Sequence, residues 1–81
     1  MKLWLLRPAK DLPAGNPWDP WYDKSFGFVV RADTETAARV MARDEAGDEG
    51  GASWMDLAKS TCTELLPAGE PGVVIQDYAR A

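Results

Sequence analysis

Residues 8 to 25 contain Pro8, Pro13, Pro17 and Pro20 together with Gly15 and Asn16, and this density of breakers rules out both a helix and a continuous strand there. A connection that long exceeds the usual range inside a compact domain. Such segments are typically functional, or are Ω-like loops held by their own side chains. This one is also not polar. Asn16-Pro17-Trp18-Asp19-Pro20-Trp21-Tyr22-Asp23 places three large aromatics and two prolines in eight residues. Aromatic side chains bury large areas and dominate cores and interfaces alike. The loop is therefore either a lid folded onto the core or a preformed contact surface.

Regular structure must form on either side of it. Before the loop, Lys2 to Arg7 reads as a strand, with Leu3 and Leu5 on one face, Trp4 and Leu6 on the other, and Pro8 as its stop. After the loop, Phe26 to Ala32 reads as a second strand. From Thr34 to about Ala46 the pattern is helical: Asp33 and Thr34 are cap candidates, and Ala37, Val40 and Met41 form an apolar stripe. Glu35, Arg39 and Arg43 recur at i, i+4 spacing, which favours a solvent-exposed Glu–Arg pair. Gly47 is a natural helix stop. Gly47 to Ala52 reads as a flexible acidic turn, and Ser53 to Lys59 as one helical turn that sets Trp54 and Met55 or Leu57 against the core.

Ser60 to Leu66 reads as a third strand, a Pro/Gly turn follows at 67–72, and Val73 to Ala79 reads as a fourth strand closing a C-terminal hairpin. With one main helix, the simplest solution is α+β: a four-stranded, mainly antiparallel sheet in the order β-β-α-β-β, covered by the helix on one face. The other face lies open unless the aromatic loop folds over it. The 81 residues make one domain, with 46% hydrophobic and 27% charged content, close to ordinary globular usage.

Chemistry is constrained by what is scarce. The chain has no histidine, which removes the commonest general base and metal ligand together. Its single cysteine, Cys62, excludes an internal disulfide, fits a reducing cytoplasm, and has no histidine to activate it. The run Leu3 to Leu6 is too short for a signal-peptide core or a membrane span. No phosphate loop, dinucleotide fingerprint or calcium-loop spacing is present, so no cofactor and no metal are expected. A short chain offers little depth for a substrate cleft, and the expectation is a binder rather than an enzyme.

The net charge of −4 disfavours direct nucleic-acid binding and suits an acidic surface that occupies a basic site on another protein. From Asp33 to Leu57 there are seven acids against two arginines, a local charge of −5. Asp44, Glu45, Asp48 and Glu49 cluster at the helix end and its following turn. They form either a solvated end that keeps the protein soluble or a patch for a basic partner. Trp18, Trp21 and Tyr22 fit a protein contact better than base stacking, because Asp19 and Asp23 interleave with the rings. These seven residues are the candidate partner-binding set. Reversing Asp48 and Glu49 to lysine should weaken binding without unfolding the chain.

The opening MKLWLLRP, the NPWDPWYDK loop, FGFVVRADTETAARVMA, the AGDEGG turn with SWMD, and the closing STCTELLPAGEPGVVIQDYARA together resemble very small proteins of phages and mobile elements. That group includes anti-CRISPR inhibitors, and the chain is most similar in pattern to a type I-C anti-CRISPR. The resemblance implies a non-enzymatic inhibitor in the host cytoplasm that binds a type I CRISPR surveillance complex and prevents target DNA recognition. Effector complexes hold DNA in positively charged channels, where carboxylates could stand in for phosphates. The alternative is a small structural or regulatory protein that self-associates through its sheet edge or aromatic loop, so both monomer and homodimer remain open.

Overall fold

In the computed structural model, which describes residues 1–77, the apolar run that opens the chain is the middle strand of a sheet. β1 (Lys2–Pro8) pairs antiparallel with β2 (Phe28–Ala32) on one side and with β3 (Ser60–Leu65) on the other. Successive side chains of a strand point to opposite faces, and both Leu5 and Leu6 are buried. Leu5 pairs with Val29 and Thr63, and Leu6 with Phe28 and Cys62. The helix α1 (Glu35–Glu45) and the short helix α2 (Gly51–Met55) complete a small α+β fold in the order β-β-α-α-β.

Among the described residues the sheet has three strands, not the four expected. Residues 73–77 run without strand pairing, and Tyr78 and Ala79, the end of the expected fourth strand, lie outside the described residues. The physical reason is burial. Val73, Val74 and Ile75 stay exposed, so little apolar area offsets the entropy of ordering a segment that follows two prolines and two glycines. β3 finds its partner in β1 instead.

One buried cluster holds the layers together: Leu6, Trp18, Ala32, Ala38, Ala42 and Trp54, with Trp4, Phe28, Val30 and Cys62 packed against it. The helices therefore cover the face of Trp4 and Leu6. The loop, which the sequence allowed as a cover for the opposite face, instead sends Trp18 into the helix-side core, while its Trp21 lines a groove with Val29 and Ile75. Trp54 is the hub. Its ring meets Trp18 edge-on at 5.3 Å and Phe28 edge-on at 5.0 Å between centroids, arrangements that the aromatic quadrupole favours.

The helix begins as its sequence predicts, with the Thr34 hydroxyl accepting from Ala37 N–H at 3.1 Å. Its buried face is shifted by one residue. Ala38, Arg39 and Ala42 are buried, whereas Met41 is 46% exposed and Val40 only half-buried. The two alanines leave room for the large Trp54 ring, which a stripe led by Met41 would not.

The Glu35–Arg39 pair forms at 3.0 Å, but Arg39 is buried rather than solvent-exposed. Its guanidinium donates to the Trp54 carbonyl (2.7 Å), the Ser60 hydroxyl (2.9 Å) and the Ser60 carbonyl (3.2 Å). Ser60 Oγ in turn donates to the Ser53 carbonyl at 2.8 Å. One arginine thus ties α1 to the end of α2 and the start of β3.

Cys62, on the helix side of β3, is half-buried. Burial pushes its thiol above the ordinary value of 9.0, the nearby Glu35 carboxylate adds to the rise, and Arg39 opposes it. The fold favours the neutral thiol, so this contribution to stability is fully present below pH 9.0 and is lost as pH rises through the raised native value. The native chain is expected to alkylate more slowly with iodoacetamide at about pH 8 than the urea-unfolded chain. Equal rates would contradict this environment.

Candidate functional site

The aromatic loop is built by its own polar groups. Asn16 Nδ2 donates to the Pro13 carbonyl (2.7 Å), Asn16 Oδ1 accepts from Trp18 N–H (2.8 Å), and Asp19 Oδ2 accepts from Gly15 N–H (3.0 Å). These short-range bonds replace a ladder that the prolines forbid. Trp18 then points inward, 5% exposed, with its indole N–H donating to the Ser25 carbonyl at 2.8 Å. Trp21 and Tyr22 point outward, 59% and 58% exposed, and meet edge-on at 6.1 Å. The loop is both things the sequence allowed: one ring is core and two are surface.

The acidic turn is fastened to this loop. Asp23 takes φ 59°, a left-handed value that aspartate tolerates better than most side chains. Its carbonyl accepts from Asp48 N–H at 2.8 Å. A Cβ on Gly47 would lie 2.7 Å from that same carbonyl oxygen, so glycine is required there for close approach rather than as a helix stop. Gly51 has the same reason on the other side, where a Cβ would sit 2.9 Å from the Arg43 carbonyl. The turn read as flexible is packed against its neighbours, and α2 begins inside it at Gly51.

Glu49 is the residue that locks the two segments together. It is 5% exposed. One carboxylate oxygen accepts from Ser25 N–H at 2.9 Å and the other from Trp54 Nε1 at 2.7 Å. Two charge-assisted bonds satisfy a group that would otherwise be costly to bury. Glu49 therefore presents no carboxylate to a partner, and its reversal to lysine is expected to unfold the turn, not merely weaken binding.

The remaining acids of the expected set stay at the surface. Asp44 receives Arg43 Nε at 3.0 Å, and Glu45 and Asp48 are exposed. The loop adds Asp19 and Asp23, also exposed. Two aromatic rings and five carboxylates are thus contributed by segments that meet at the Asp23–Asp48 contact. Sequence spacing could not show that meeting, because residues 23 and 48 are joined only through the fold. Among the described residues no three acids or thiols are grouped so as to hold a metal ion, and no helix is long and apolar enough to cross a membrane. Lys24 follows directly on the aromatic stretch; it donates to the Pro20 carbonyl and lies 5.8 Å from the Tyr22 ring centroid.

No protein-family model matches the chain, and neither a curated protein nor a solved structure matches it.

Proposed function

We propose that the chain is a non-enzymatic inhibitor that binds a type I CRISPR surveillance complex in the host cytoplasm and blocks target DNA recognition. The resemblance to small phage proteins supplies the partner. The observation that carries the reading is the fastening of the aromatic loop to the acidic turn through Asp23, Asp48 and Glu49. A loop so held presents Trp21 and Tyr22 without a large ordering cost on binding, which is how preorganisation raises affinity. Exposed tryptophan and tyrosine are the side chains most often found at interface hot spots. The carboxylates of Asp44, Glu45 and Asp48 would meet cations that otherwise hold DNA phosphates.

The division of labour has a measurable form. Replacing Trp21 and Tyr22 together by alanine is expected to weaken binding to the purified complex by about 30-fold or more, a loss of at least 2 kcal/mol. Reversing Asp44, Glu45 and Asp48 to lysine should mainly slow association and flatten its salt dependence. Both variants keep the core residues and should melt close to the parent chain. Unchanged affinity in both would remove this surface from the account.

A further inference from the structure

We infer that the outer edge of β2 is a second docking site, one that takes an extended peptide segment carrying acidic side chains around an apolar one. This site is separate from the inhibitor reading and shares only Trp21 with it. β2 stands at the end of the strand order, with β1 on its inner side and no strand partner on its outer side among the described residues. Unpaired strand edges are templates for an added strand, whose main chain supplies affinity and whose alternate side chains supply specificity. Beside this edge lies a groove of about 690 Å³, lined by Trp21, Phe26, Val29 and Ile75 among others. Trp21, Phe26, Val29 and Ile75 are all exposed, so the groove has apolar walls open to solvent.

Charge selects the occupant. On the face of β2 turned away from the helices, Val29 and Arg31 alternate, opposite Leu5 and Leu3 of β1. Gly27 comes next along that row with no side chain, and Arg7 and Lys24 line the groove there. Neither Arg7 nor Arg31 makes an ion pair among the described residues. Asp77 also lines the groove and offsets one of its two cations, so the row carries Arg31 at one end and a net positive charge from Arg7, Lys24 and Asp77 at the other, in a chain of net charge −4. A strand added here would set one side chain beside Arg31, the next on that face beside Val29, and the next beside Gly27, where Arg7 of β1 lies close enough that its Cγ would be 3.9 Å from a Cβ on that glycine. The complementary pattern is acid-x-apolar-x-acid. A second copy docked edge to edge would instead bring two Arg31 side chains onto one face, and like charges across a strand pair are destabilising.

The test is a titration of the full chain with a blocked seven-residue peptide, acetyl-Thr-Asp-Thr-Val-Thr-Asp-Thr-amide, followed by backbone amide resonances at about 0.15 M salt, where remote charges are screened. The lysine analogue, with both aspartates replaced, is the control. Saturable shifts confined to 27–32 and the groove are expected, with the aspartate peptide binding about 10-fold or more tighter than the lysine peptide, at up to about fivefold per exposed ion pair. Arg31→Glu, an exposed and structurally mild change, should reduce that preference or reverse it. No shift at millimolar peptide, equal binding of the two peptides, or an Arg31→Glu chain with unaltered preference would overturn the site. So would edge resonances that move with protein concentration alone, which would assign the edge to a second copy. The pull-down that tests the inhibitor reading uses no peptide, so the two readings fail independently.

Discussion

Trp54→Ala is expected to cost about 3–5 kcal/mol, the range for truncating a buried aromatic. For a chain of 81 residues, total stability is on the order of 4–12 kcal/mol, so the variant should be largely unfolded or melt tens of degrees lower. Three losses coincide. The fully buried ring leaves a cavity among Leu6, Ala38 and Ala42. Its edge-on partners Trp18 and Phe28 lose their contact. The Glu49 carboxylate loses the indole donor at 2.7 Å and keeps only Ser25 N–H. Trp54→Phe separates these effects, because it fills most of the volume but supplies no donor. It should retain part of the stability and still loosen the loop, read as increased amide exchange at Ser25. A melting temperature within a few degrees of the parent for Trp54→Ala would contradict the hub.

Arg39→Ala is expected to be the second largest loss, on the order of 2–5 kcal/mol, since it strips donors from the buried carbonyls of Trp54 and Ser60. Glu35 is less affected, being 43% exposed at its side chain and open to water. Arg39→Lys should recover less than half of that loss. An ammonium is a point donor and cannot reach the Ser60 carbonyl, the Ser60 hydroxyl and the Trp54 carbonyl in one planar fork. Chemical denaturation of the three chains measures this directly. A lysine variant as stable as the parent would show that charge alone suffices there.

Much of the frame was legible because it rests on local pattern. The apolar run on both faces of Lys2–Pro8 and the capped helix after Thr34 appear where pattern and capping place them, and the second strand forms as Phe28–Ala32, with Phe26 and Gly27 of the expected Phe26–Ala32 left outside it. The illegible parts depend on what meets what. Hydrophobicity ranks Met41 above Ala38 and Ala42, yet the helix turns its alanines inward because the Trp54 ring needs the space. Val73–Ile75 has the composition of a strand but no face that buries it. Glu49 counts as surface charge in any composition, and only the indole and amide donors that converge on it explain its burial. Trp18 and Trp21 are equivalent in sequence. Their separation into core and surface follows from the Asn16 and Ser25 hydrogen bonds that set the loop's direction.

The anti-DNA-recognition proposal meets its most direct test in an order-of-addition measurement with purified type I surveillance complex. The chain is added before or after saturating target DNA, and its retention on the complex is quantified. Binding to the free complex that is lost once DNA occupies it is the predicted result, together with loss of DNA binding when the chain is added first. Equal retention in both orders, or no retention at micromolar concentration, would contradict the proposal.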